Sequence, residues 1–169
     1  MFGLQLSFGW QKKFTLNFIN HAKPSAKRSN YKKIQFSDKF LNEIWCNLKN
    51  TYFPNNKLLD EYKVIWSTKP QKRTLASCNL TKKRVIVARE LNYPEHYIWL
   101  EPLIYHEMCH SVVGAIKKGS RNSYHGKEFK KLEQIHPLMK NFDHWVKSGG
   151  WLTAIRSDRA KRAHQKRIK

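Results

Sequence analysis

The chemistry that is easiest to read from the chain lies in Tyr105-His106-Glu107-Met108-Cys109-His110-Ser111. On a helix, residues four apart share a face, so His106 and His110 can offer two imidazoles to one zinc ion. Glu107 then projects beside the metal, placed to take a proton from the attacking water. This is the H-E-x-x-H arrangement of zinc peptidases, with Glu107 as the candidate catalytic base. A catalytic zinc takes a third protein ligand and keeps a fourth position open. His125, in Ser123-Tyr124-His125-Gly126-Lys127-Glu128-Phe129, is one candidate. Glu128 and Glu133 are the rivals, since some zinc peptidases draw a glutamate from a second helix. A third histidine six residues after the second is excluded, because Ile116 occupies that place. The same residue argues against the His-x3-His-x5-His site of one group of metal-dependent RNases. Tyr124 is a candidate oxyanion donor, with a packing aromatic as the competing role. His136 and His144 have no partner at ligand spacing and read as surface or hydrogen-bonded residues.

These side chains need rigid elements to hold them. Residues 98–116 are apolar enough for a core helix, with Ile104, Met108, Val112 and Ala115 on a side other than that of the histidines. Pro102 either opens that helix or kinks a longer one begun at Pro94. Lys117-Lys118-Gly119 reads as its end. A polar loop then lets the chain turn back, and a second helix follows with Phe129, Leu132 and Ile135 as its apolar stripe. Opening that helix with His125 brings the imidazole over the first. Upstream, Ser37-Asp38 offers an N-cap for a helix to about Thr51, with Phe40 or Leu41, Ile44, Trp45 and Leu48 inward. Residues 62–67, 73–80 and 84–88 read as three strands of an antiparallel meander. Such a strand beside the site is suited to holding an extended peptide. Ser77 and Asn79 could face the cleft, but a polar strand face in solvent is the favoured reading. After Pro137, Met139, Phe142, Trp145 and Val146 mark a short helix closed by Gly149-Gly150.

The run His106-Glu107-Met108-Cys109-His110, fourteen intervening residues, then His125-Gly126-x-x-Phe129 resembles the SprT-like metalloprotease domain. The likeness is specific over about residues 103–132 and looser back to Tyr62. It implies a single zinc held by His106, His110 and His125, with Glu107 as general base. It implies an α+β fold with a zincin-like metalloprotease core, a small antiparallel sheet packed against helices that include the H-E-x-x-H helix. It further implies a protein substrate, since the family includes DNA-dependent proteases that degrade proteins crosslinked to DNA. Many relatives add a C-terminal zinc ribbon. Cys46, Cys78 and Cys109 form no C-x-x-C, so any nucleic-acid contact is expected to come from elsewhere.

Composition sets the frame. The 169 residues suit one domain, and the order expected is a basic segment 1–36, a core domain 37–150 and a basic tail 151–169. Residues 1–37 hold seven Lys or Arg and no acid. Their alternating apolar residues (Leu4 to Trp10, Phe14 to Phe18) read as a hairpin or, less well, an arginine-poor transit peptide, and His21 to Lys33 as a linker. Three scattered cysteines fit a reducing compartment rather than a disulfide framework, and Cys109 reads as a small buried residue. No apolar run reaches transmembrane length. The net charge of +21 calls for polyanionic company, with nucleic acid first and an anionic membrane second. A sequence-independent, salt-sensitive grip on DNA is expected, and with it an intracellular location in the cytoplasm or nucleoid, or in a nucleus. The competing class is a nucleic-acid-binding protein whose zinc is structural or vestigial, against which an intact Glu107 counts. A nuclease would need clustered carboxylates that the chain lacks.

Overall fold

The computed structural model describes residues 36–118 and 121–167, over 116–118 and 121–123 by the backbone alone. The expected hairpin and linker before Phe36 lie outside the described residues. Helix α1 spans Asp38–Tyr52, and Ser37 caps it as expected, its hydroxyl accepting the Phe40 N–H. Leu41, Trp45 and Leu48 are its buried face. A 3-10 turn, Lys57–Glu61, leads into β1 (Lys63–Trp66), then β2 (Ala76–Asn79) and β3 (Arg84–Val87).

The α+β expectation holds, but the strand order is not that of a meander. The order is β1-β3-β2, with β1 parallel to β3 and β2 antiparallel to it. The reason lies in the side chains. Arg84-Val85-Ile86-Val87 is the most apolar strand, with Val85 and Val87 fully buried, and it takes the central place where both edges are paired. Ala76-Ser77-Cys78-Asn79, with Ser77 and Asn79 exposed, goes to an edge. The tight turn between β2 and β3 fixes their antiparallel pairing. Asn79 Oδ1 accepts the Lys82 N–H there, and Lys83 adopts φ 46°. The longer link from Ser67 to Leu75 lets β1 reach the far side of β3. The outer edge of β1 is covered by α1: the Asn42 amide both donates to Val64 O and accepts from Val64 N, and Asp38 accepts the Trp66 N–H.

Pro94 opens a 3-10 turn (Pro94–His96) that runs into α2, Tyr97–Val113, with Pro102 inside it. Leu100, Leu103, Ile104, Tyr105, Glu107, Met108 and Cys109 are all buried, so α2 is enclosed on several sides rather than along one stripe. Cys109 is the buried small residue expected. The helix ends earlier than Lys117-Gly119. Gly114 takes φ 69°, a conformation costly for residues with a Cβ, and its N–H returns to His110 O. Ala115 is therefore outside the helix and exposed, and the expected polar loop is a small antiparallel hairpin, β4 (Ile116–Lys118) with β5 (Arg121–Ser123).

Helix α3 is Lys127–Glu133. Its Phe129 is fully buried, while Ile135 falls beyond the helix end and is exposed. The Tyr105 hydroxyl donates to Leu132 O and ties α3 to α2. Helix α4, Met139–Lys147, buries Met139 and Phe142, and Gly149 at φ 87° turns the chain into α5, Gly150–Arg167. Trp151 and Ala154 of α5 join the core.

Candidate metal centre

Helix α2 carries His106 and His110 on one face, as their spacing requires. The β4–β5 hairpin and α3 return the chain so that His125 meets them. His106 Nε2 and His110 Nε2 lie 3.2 Å apart, as do His110 Nε2 and His125 Nε2, and one nitrogen from each ring lies within 4.8 Å of the others. Nitrogens held tetrahedrally at about 2.0–2.1 Å from zinc stand about 3.3 Å from one another. The donor set and the two 3.2 Å spacings therefore fit a zinc ion. His125 is exposed, which leaves the group open to solvent on one side.

The floor of the group is Phe129. Its ring centroid lies 4.5 Å from that of His110, 4.8 Å from His125 and 5.1 Å from His106. Behind His106, Nδ1 is 2.5 Å from Glu133 Oε1. Glu133 thus sits on the far side of the His106 ring from the three-nitrogen group, and Glu128 is exposed and outside it. Of the three rival third ligands, His125 is the one that joins the pair. His110 Nδ1 is buried with no hydrogen-bond partner among the described residues.

Glu107 is 5% exposed and lies against β2, with the Cys78 backbone N–H among the groups that act on its carboxyl. Burial pushes its pKa up to about 7, against the opposing pull of the His106 charge and the Cys78 N–H. Burial, with the neighbouring His106 and His125, lowers His110 to about 4, so it is neutral and able to ligate at pH 7. Burial likewise lowers His125, helped by His106 and opposed by Glu133. Burial also works to lower His106, but the Glu133 hydrogen bond and the charges of Glu107 and Glu133 outweigh it, and the net direction is up. Glu133 is raised by burial, yet its hydrogen bond and charge contact with His106 leave it lowered overall.

Tyr124 is 45% exposed, with its ring edge-on to His110 at 6.4 Å between centroids. It borders the group. Cys78 Sγ and Ser111 Oγ are 3.2 Å apart, which joins the edge strand to α2 one residue past the second histidine. Asn79 is taken up by its turn and Ser77 is exposed, as the sequence suggested. His136 is buried and accepts the Leu138 N–H through Nδ1, and His144 is exposed; neither joins the group. The sequence reading missed Phe129 as the common floor and Glu133 as the partner of His106 Nδ1, the ring nitrogen turned away from the group. Their i,i+4 spacing on α3 was the available signal, since it puts both on one face.

No curated protein matches the chain. Among solved structures, the metallopeptidase zymogen jannalysin of Methanocaldococcus jannaschii is similar at 18% identity and a TM-score of 0.42, over 57% of this chain and 80% of that one. The metallopeptidase zymogen abylysin of Pyrococcus abyssi is similar at 17% identity and a TM-score of 0.43, over 64% of this chain and 92% of that one. The SprT-like family model matches residues 41–148, well over half the chain and the stretch that holds the three histidines and Glu107, and the protein belongs to the SprT-like family.

Proposed function

We propose that the protein is a zinc-dependent metallopeptidase that acts on proteins associated with DNA. The observation that carries the reading is the meeting of three imidazole nitrogens within 4.8 Å beside a buried glutamate of raised pKa. In this reading His106, His110 and His125 hold one zinc. Zinc there would supply Lewis-acid polarisation of the scissile carbonyl and a more acidic water. Glu107 takes the proton of the attacking water and passes it to the leaving amine. A carboxylate whose pKa lies near 7 is matched to both tasks at neutral pH. The open edge of β2, paired among the described residues with β3 alone, lies against α2 and is suited to align an extended peptide by main-chain hydrogen bonds. Tyr124, at the rim beside His110, is the candidate donor to the developing oxyanion.

The nucleic-acid part of the reading rests on charge. The +21 balance includes a groove of about 360 Å³ between α5 and the 70–72 segment, lined by Lys72, Arg89, Arg159, Arg162 and Lys166. The two acids there are engaged: Asp158 accepts from Tyr93 and Arg162, and Glu90 accepts the Gln71 N–H. The surplus cations favour a phosphate backbone. This reading places the protein inside the cell, with nucleic acid. The solvent-facing His125 favours an open, catalytic site over a closed structural one. The test is cleavage of a histone by the zinc-loaded protein, with and without single- and double-stranded DNA. DNA-stimulated cleavage is expected. Cleavage indifferent to DNA would remove the nucleic-acid part, and zinc binding with no cleavage under any condition would remove the peptidase.

A further inference from the structure

Among the described residues, His106 has a carboxylate behind it and His110 does not. Glu133 Oε1 lies 2.5 Å from His106 Nδ1, whereas His110 Nδ1 is buried without a partner among the described residues. Glu133 is four residues beyond Phe129 on α3, so the helix face that supplies the aromatic floor also supplies this carboxylate. The helix itself is anchored by the Tyr105 hydroxyl on Leu132 O, next to Glu133.

Resting on the metal-centre reading, we infer that Glu133 is a positioning residue that fixes the tautomer and ring orientation of His106 and thereby sets metal affinity. An ionised carboxylate can only accept, so Nδ1 must carry the hydrogen. The lone pair is then on Nε2, the nitrogen 3.2 Å from His110 Nε2. The two nitrogens of an imidazole point away from each other, so a group bonded at Nδ1 cannot also reach a metal at Nε2. This separates the role of Glu133 from that of a ligand. A carboxylate behind a ligating histidine raises its basicity and removes rotational freedom that binding would otherwise have to freeze.

The experiment compares zinc affinity, by competition with a chromophoric chelator, for the full chain and for Glu133→Ala, Glu133→Gln and Glu128→Ala. The cobalt(II) visible spectrum and the ring N–H signal of His106 in 15N-labelled protein are recorded alongside. Glu133→Ala is expected to weaken zinc about 10- to 100-fold and to lose the protected His106 N–H. Glu133→Gln, whose amide oxygen still accepts, is expected to fall between, and Glu128→Ala to match the parent. The cobalt spectrum should keep its coordination number in every variant, a readout that general destabilisation of α3 would not preserve. Zinc affinity of Glu133→Ala within twofold of the parent would overturn the inference. A cobalt spectrum showing one ligand lost would do so as well, by making Glu133 a ligand. A parent chain that binds no zinc would instead sink the metal-centre reading, and this inference with it.

Discussion

Phe129 is where packing and the metal centre meet, and its removal gives the sharpest quantitative expectation. The ring is fully buried and stands within 4.5 to 5.1 Å, centroid to centroid, of all three imidazoles. Phe129→Ala removes a side chain of the size that costs about 3–5 kcal/mol when truncated in a core. Helix α3 is seven residues long, too short to hold its place without tertiary contacts, and Phe129 is its one buried residue. The expected loss is thus about 3 kcal/mol or more, from a total of about 5–15 kcal/mol for a domain of this size. The metal adds a second reading. A zinc concentration 100 times the Kd stabilises the folded state by about 2.7 kcal/mol, and a tenfold weaker site at the same concentration gives about 1.4 kcal/mol. Denaturant unfolding with and without zinc measures both. Phe129→Leu fills most of the volume and should lose less than half as much. A Phe129→Ala chain within about 1 kcal/mol of the parent, with its zinc increment intact, would refute the claim that this ring is the floor of the site.

Two further perturbations follow from the same structure. A Cβ on Gly150 would stand 2.2 Å from the Trp145 ring, which is stacked on Trp99 at 5.2 Å and cannot swing freely. Gly150→Ala should therefore lower stability by about 1–3 kcal/mol in thermal or chemical unfolding, and an unchanged midpoint would contradict this packing. In chelator-treated protein, Glu107 has a folded pKa of about 7, above its ordinary value, because burial disfavours its charge. A raised pKa contributes stability that is present below the unfolded value and lost as pH climbs through the folded one. The parent should lose roughly 3 kcal/mol relative to Glu107→Gln between about pH 4.5 and 7, a difference that parallel unfolding curves across that range will read. A gap between the two that stays flat over the window would rule out a buried, raised Glu107.

The parts of the site that could be read from the sequence are those set by local spacing. His106, Glu107 and His110 sit on one turn of one helix, and helix geometry alone puts the two imidazoles together. His125 came from its place in the His-Gly-x-x-Phe run, and the fold returns it to the pair through the β4–β5 hairpin. What escaped depends on contacts distant in sequence. Nothing local to Lys63–Trp66 says that it pairs with β3 rather than β2. That follows from which strand takes the central place, with both edges paired. The end of α2 turns on Gly114, whose positive φ outweighs an apolar pattern that runs on to Ile116. Glu133 was a candidate ligand because some zinc peptidases draw a glutamate from a second helix, but a carboxylate there can bond either the metal or a ligating histidine's second nitrogen. The sequence does not distinguish the two, whereas the 2.5 Å contact with Nδ1 does.

In the proposed reading, His106, His110 and His125 hold a zinc at which Glu107 moves the proton. This is met most directly by measuring zinc per chain and peptide-bond cleavage side by side for the parent and Glu107→Gln. One zinc per chain is expected in both, with cleavage in the parent and its loss by several orders of magnitude in the variant. Wild-type cleavage by Glu107→Gln, with zinc bound, would contradict that reading.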